Sequence, residues 1–335
     1  MDSLTHLALG ACIGEAILGK KIGKKAMLIG ALANTIPDLD FVTAFWLDAD
    51  DNLLAHRGFT HSFLFVAIST FFLALLFRRV YKHRIHLNQW FWLFGLEMLS
   101  HILIDACNSY GTGWFEPFSH YRVSFNTIFV ADPFFSVWVG IASIVLLVKK
   151  RASSNRMFWV KFGIGLSGLY VGYCTFNKYH VEKDVKEIIA KEHIPHDQYF
   201  TSPTPINNWL WYVVAGNSEG FHIGYYSVFD RKKEIQFTYF PKNEKLLQPM
   251  YDHEDIIHLK RFSKGFYTVE NWNDTLVFND LRFGQIAGWE NPHEKFVFYY
   301  YLQHPLDNSL LVQRGRFKKW DSETMQSLIQ RIRGN

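Results

Sequence analysis

The stretch WFWLFGLEMLSHILIDACN, residues 90–108, governs how the rest of the chain is read. It approaches the roughly 20 mostly apolar residues that a helix needs to cross a bilayer, yet it carries Glu97, His101 and Asp105 four residues apart. Residues at i and i+4 share one helix face, so the three form a stripe on a helix otherwise made of Trp, Leu, Phe and Ile. With a rise of about 1.5 Å per residue, His101 lies about 6 Å deeper than Asp105, and Glu97 about 6 Å deeper again. A charge at the centre of a span costs about 2.5–3.5 kcal/mol on insertion scales, which makes such a group a functional candidate by default. For Glu97 alone, a buried hydrogen bond to another helix accounts equally well for its place.

Outward from this stretch, three more segments have the length and composition of spans: 61–79, 127–148 and 158–176. Two shorter apolar pieces, 4–18 and 26–37, precede them and read as a helical hairpin packed into the bundle. All-helical spans are expected because a bilayer offers no water to unpaired backbone groups. Three basic loops set the orientation: Lys20, Lys21, Lys24 and Lys25; Arg78, Arg79, Lys82 and Arg84; Lys149, Lys150, Arg151 and Arg156. By the positive-inside rule all three are cytoplasmic. Residues 1–6, 37–62, 104–128 and everything after 177 then fall on the outer side. The N-terminus lacks the basic region and cleavage signal of a removable signal peptide.

The composition changes near residue 177. The 335 residues are 49% hydrophobic and 17% aromatic, but the long apolar runs end there and an ordinary soluble mixture follows. At about 150 residues per domain, we expect two units: a helical membrane domain over 1–176 and a soluble α+β domain over 177–335. Segments 209–215, 221–229, 235–240 and 295–303 are aromatic and β-branched and read as strands. Apolar spacing of three and four predicts helices over 180–193, 252–263 and 321–333. The net charge of +4 is too small and scattered for nucleic-acid binding. Cys12, Cys107 and Cys174 fit neither a zinc site nor a disulfide framework. His83 and His86 lie in a basic loop and His293 and His304 in C-terminal loops, all without partners at metal spacing, and they read as solvated side chains.

The remaining ionisable groups of the first half gather at the outer ends of their helices. Asp2 and His6 are four apart; a PDLD turn holds Asp38 and Asp40; HRGFTHS supplies His56, Arg57 and His61; Asp132 precedes Pro133. Topology was inferred from Lys and Arg alone, so this convergence of His and Asp is independent of it. Imidazole and carboxylate are the donors that zinc and similar divalent ions take, and one bridging Asp can hold two ions. Such an ion brings the pKa of bound water to about 7 and polarises a carbonyl or phosphoryl oxygen. A single interfacial histidine is ordinarily just a polar residue at a wet surface; a stripe of three groups on one helix face is hard to ascribe to packing. Arg57 suits a phosphate or carboxylate, held by its planar fork.

At these residues the sequence resembles the YdjM-like family of bacterial membrane-bound metal-dependent hydrolases. The likeness rests on MDSLTH (1–6), GALANTIPDLD (30–40), HRGFTHS (56–62), HILIDACNSYGT (101–112) with PFS (117–119) and Arg122, and VADP (130–133). It covers roughly residues 1–150. The aromatic C-terminal part with NDLRFG (279–284) is similar to the longer Gram-positive members, which add a soluble domain. The resemblance implies a helical membrane protein and a hydrolase, with His6, Asp38, Asp40, His56, His61, His101 and Asp105 as ligands. The His–Asp pair one turn apart is also similar, by analogy only, to the zinc-dependent phospholipase C group.

These readings converge on a multi-pass cell-membrane hydrolase with one or two divalent ions, zinc being the expected metal. It would cleave a phosphoester or ester in a membrane lipid or a small membrane-proximal substrate, with metal-bound hydroxide as nucleophile. Arg57 would clamp the anion, and Glu97 or Asp132 would act as general base or supporting partner. The soluble domain has no catalytic motif; covering the site mouth or binding a headgroup are roles it can serve, and protein partners are not indicated. Two rivals use the same residues: a metal or ion transporter, which needs ligands open to both faces, and a membrane regulator with a closed structural metal site.

Overall fold

A computed structural model describes residues 1–250, 253–273, 275–303, 308 and 320–334. The chain is helical in its N-terminal region, and β-sheets follow in the C-terminal region. His304 lies outside the described residues. Two compact units emerge: 1–42, 55–175 and 205–207 form the first, and 43–54, 176–204 and 208–335 the second.

In the first unit, helix α1 (Ser3–Ile22) begins at Asp2, whose carboxylate accepts from Thr5 N at 3.0 Å. Helix α2 (Lys24–Asn34) turns back against it. The close approach depends on small residues at four-residue spacing, a device of apolar helix pairs. A Cβ on Gly10 would sit 2.5 Å from Gly30 O, and one on Gly14 would sit 2.2 Å from Ala26 O. A 3₁₀ segment, Pro37–Phe45, follows at a bend of 53°. Helix α3 (Ala49–Ala55) comes next in sequence but belongs to the second unit except for its last residue; the first unit then continues with α4 (Phe63–Val80), capped by Ser62. The 90–108 stretch forms helix α5 (Leu87–Asp105), whose buried face runs Trp90, Leu93, Phe94, Glu97, Met98, His101, Ile102 and Asp105. That three-and-four spacing is the helical period.

Helix α6 (Pro133–Val148) starts at Asp132, which accepts from Phe134 N and Phe135 N. Helix α7 (Arg156–Lys191) is continuous where the sequence reading had two helices, 158–176 and 180–193. Composition changes at that point, but no Gly or Pro falls between 173 and 191 to stop the helix. By length and composition α4 is long and apolar enough to cross a bilayer, and α2 with the bent 3₁₀ segment makes a second candidate. Helix α6 is shorter, at 16 residues.

The second unit holds two antiparallel sheets. Strands β1 (Gln198–Pro203), β2 (Leu210–Gly216), β3 (Gly220–Ser227) and β4 (Thr238–Pro241) lie in sequence order. Alternate residues of β2 serve two layers, as the pleat requires. Trp211, Val213 and Ala215 pack with Val181, Val185, Ile188 and Ile189 of α7, while Tyr212 and Val214 pack with Phe266, Leu281 and Phe296. The latter cluster takes in the second sheet, β5 (Tyr267–Trp272), β6 (Thr275–Gln285) and β7 (Phe296–Tyr301). Helices α8 (Glu254–Phe262) and α9 (Ser322–Ile332) complete the unit. Strands β1, β5 and β6 were not anticipated; β6 contains Asn279, Asp280 and Gly284, residues that ordinarily disfavour a strand.

Candidate metal centre

The bend after α2, the short turn before α4 and the last turn of α5 bring Asp38, His61, His101 and Asp105 together. One donor atom from each lies within 4.8 Å of the others. His101 Nε2 stands 3.2 Å from His61 Nε2, 3.4 Å from Asp38 Oδ1 and 3.5 Å from Asp105 Oδ2. His61 Nε2 is 3.4 Å from Asp105 Oδ2 and 3.7 Å from Asp38 Oδ1. A tetrahedral ion with bonds of about 2.1 Å separates its ligands by about 3.4 Å. The donor set, two imidazoles and two carboxylates, and these five separations both fit a divalent ion. Three of the side chains are completely buried and Asp38 is 22% exposed, so the group is open on the Asp38 side.

The other sequence-predicted ligands surround this group. Asp40 accepts from Arg57 N at 2.7 Å, from Thr60 Oγ1 at 3.0 Å and pairs with His56 Nδ1 at 3.0 Å. His61 Nδ1 lies 3.1 Å from Thr60 Oγ1 and 3.5 Å from Asp40 Oδ2. An Nδ1–H held there leaves the Nε2 lone pair facing the group, the usual support of a ligating histidine. Asp40 is therefore placed as a support and not as a fifth corner. His56 stays on the rim, with its side chain 39% exposed.

His6 approaches the other oxygen of the shared carboxylate, with Nε2 3.2 Å from Asp105 Oδ1, and its ring stacks on His101 at 3.8 Å. The Met1 amine also lies against Asp105 Oδ1. Asp105 thus faces two histidines through Oδ2 and a third through Oδ1, the disposition of a carboxylate able to bridge. His6 Nδ1 contacts Asn34 Oδ1 at 3.1 Å, and Asn34 Nδ2 donates to Glu97 Oε2 at 3.0 Å. Gly30 makes room for Glu97, since a Cβ there would lie 2.5 Å from its Oε1.

Glu97 and Asp132, expected as general base or supporting partner, take different places. Glu97 reaches the group only through Asn34 and His6, so it positions His6. Asp132 caps α6 and accepts from Tyr170 OH at 2.9 Å, so its oxygens are engaged in the fold. Arg57 does reach the site. Its backbone is in the left-handed region at φ 57°, a strained conformation for a non-glycine residue, fixed by the Asp40 bond and by Gly113 N donating to its carbonyl at 2.8 Å. Its Nη2 is 3.1 Å from Asp105 Oδ2, and its Nη1 donates to Asn108 Oδ1 at 2.9 Å. Asn34, Thr60 and Asn108 were missed by the sequence reading. Their only signal was a polar residue one helical turn or one position away from a predicted ligand.

Comparison with known proteins finds relatives of this chain. The Bacillus subtilis protein YfhP is 26% identical over 237 residues, which cover 67% of this chain and 68% of that one. The inner membrane protein YbcI of Escherichia coli is 31% identical over 121 residues, 36% of this chain and 69% of the relative. No solved structure matches. The family model described as YdjM inner membrane protein matches residues 1–181, more than half of the chain, and leaves most of the sheet unit outside it. The chain is a membrane protein belonging to the YdjM inner membrane protein family.

Proposed function

We propose that the protein is a metal-dependent hydrolase of the cell membrane, acting on a phosphoester or ester of a lipid or a small membrane-proximal substrate. The observation that carries this reading is the convergence of Asp38, His61, His101 and Asp105, donor atoms all within 4.8 Å of one another, with the Arg57 guanidinium beside the Asp105 oxygen that the two imidazoles face. Asp38, His61, His101 and Asp105 would hold one ion, zinc by donor type, and His6 with Asp105 Oδ1 offers a place for a second. A bound ion of this kind acidifies water and polarises the bond to be cut. The protein's own groups do the rest. Thr60 and Asp40 fix the His61 ring, Asn34 and Glu97 fix His6, and Arg57 draws the anionic part of the substrate to the open Asp38 side.

In this reading the helical unit is multi-pass, and its exposed apolar side chains, such as Phe72 at 65%, Trp92 at 65% and Leu169 at 71%, face lipid. Patches of this kind on a soluble surface would be unusual. By the positive-inside rule the basic loops favour an orientation with the His/Asp group and residues after 177 on the outer side. A cysteine introduced at Ser322 should then react with a membrane-impermeant thiol reagent in cells stripped of their wall; labelling only after lysis reverses the orientation.

For the hydrolase reading, the test is metal analysis of the detergent-purified full chain, with release of product from phosphoester, ester and amide panels. Bound divalent metal together with hydrolysis that disappears in Asp105→Ala is the expected outcome. Metal without hydrolysis across all three panels would overturn the enzyme reading in favour of a structural site.

A further inference from the structure

The His/Asp group presents lone pairs, and besides the ring nitrogen His101 Nδ1, two buried polar atoms on non-ligand residues beside it have the opposite character. Arg57 Nε and Asn108 Nδ2 are both N–H donors, and neither makes a hydrogen bond. The two residues are 4% and 1% exposed, and buried polar groups in folded proteins are nearly always paired. A cation satisfies acceptors such as Asp105 Oδ2; it cannot satisfy an N–H. These donors require an acceptor.

The contacts around them show which way these donors face. Asn108 Oδ1 already accepts from Arg57 Nη1 at 2.9 Å and from Tyr110 N at 3.0 Å, which fixes the amide orientation and leaves its NH₂ as the unused end. Arg57 Nη2 lies 3.1 Å from Asp105 Oδ2, the oxygen that also faces His61 and His101. Nε and Nη2 form one edge of the guanidinium, the fork that meets a two-oxygen anion side-on. That edge therefore borders the ligand group.

We propose that Arg57 and Asn108 form an anion subsite for a phosphate group, so that the substrate is a phosphoester and not a carboxylic ester. A neutral ester presents one carbonyl oxygen. A phosphate presents several, enough for the guanidinium edge, the Asn108 amide and the neighbouring His/Asp group together. This inference rests on the hydrolase reading and narrows its substrate class.

The test uses the full chain in detergent, with metal content measured in every sample. Calorimetric titrations compare inorganic phosphate, acetate, and a short-chain phosphatidic acid below its micellar concentration. Phosphate should bind, with acetate at least about tenfold weaker, and Arg57→Lys and Asn108→Asp should each weaken phosphate by about tenfold or more, the scale of losing a charge-assisted hydrogen bond. Both variants should keep the wild-type metal content, which also reports that they fold. Phosphatidic acid binding tighter than phosphate assigns the group to a lipid headgroup; equal binding assigns it to a soluble phosphoester. If metal-loaded protein binds phosphate no better than acetate, or both variants bind it like the wild type, the subsite is refuted and the metal centre stands. If the wild type carries no metal yet phosphate binding is lost in both variants, the subsite stands and the hydrolase reading is refuted.

Discussion

Asp105 in the helical unit and Asp280 in the sheet unit are both completely buried carboxylates, and they are housed in opposite ways. Asp280 is closed by a residue two positions on. Arg282 reaches it through its backbone N at 3.0 Å, Nε at 3.0 Å and Nη2 at 2.6 Å, and the guanidinium carbon rests 4.7 Å from the Phe262 ring centre. Asp105 instead faces polar atoms from residues 1, 6, 57, 61 and 101, and its Oδ2 accepts no hydrogen bond. The difference does not belong to the helical unit as such. There Glu15 is closed by Arg156 through two bonds of 2.7 and 2.8 Å. A buried charge that serves the fold is neutralised by one partner. Asp105 is held by many contacts that leave room between them, which is what binding a further ion requires.

Exchanging the two carboxylates for amides tests that contrast most severely. Asp105→Asn should lower bound metal by more than about 100-fold, beyond the range seen on losing a ligand's supporting partner, while the helical unit stays folded. Asp280→Asn should leave metal content unchanged and cost about 3–5 kcal/mol in unfolding free energy, because Arg282 loses its buried counter-charge. Metal analysis and thermal unfolding on both proteins give a two-by-two result. Loss of fold in Asp105→Asn with metal retained, or of metal in Asp280→Asn, breaks the division of roles.

The same contrast explains what was legible in the sequence. Four-residue spacing on a helix is a local code, so His101 and Asp105 could be placed on one face from residues 90–108 alone. The meeting of Asp38 and His61 with that face was inferred from topology, and the structure brings these four atoms together. The allotment of roles was not legible. Whether Asp40 ligates or supports depends on which way a carboxylate turns after a 53° bend, and Thr60 Oγ1 and the Arg57 backbone N settle that only in three dimensions. Glu97 and Asp132 looked chemical because they are acidic in apolar surroundings, a property that helix caps and buried amide partners share. In the sheet unit, β2 and β3 were readable from apolar residues. β6 was not, because its Asp280 is accommodated by Arg282, a pairing invisible to strand propensity.

A gentler test sharpens the comparison within the sheet unit, at a carboxylate that is paired but not buried. Glu244 Oε1 accepts from Lys260 Nζ and from Tyr267 OH, both at 2.8 Å, and Oε2 lies 3.3 Å from Lys242 Nζ. Partial burial raises its pKa, but the bonds from Lys260 and Tyr267 and the charge of Lys242 outweigh that and hold it at about 2, below the ordinary 4.5. A carboxylate whose folded pKa is depressed stabilises the fold fully above its unfolded pKa. It loses that contribution as pH falls through the folded one. The window here is pH 4.5 down to 2. With 35% of the side chain exposed, solvent screening limits the effect, and Glu244→Gln should cost no more than about 1 kcal/mol at neutral pH. The gap in Tm between wild type and Glu244→Gln should be largest at pH 7, shrink below pH 4.5 and nearly close by pH 2. A gap that is constant across this range would mean that the lysines do not hold Glu244 ionised, and that shape alone, as in an uncharged hydrogen bond, accounts for its place.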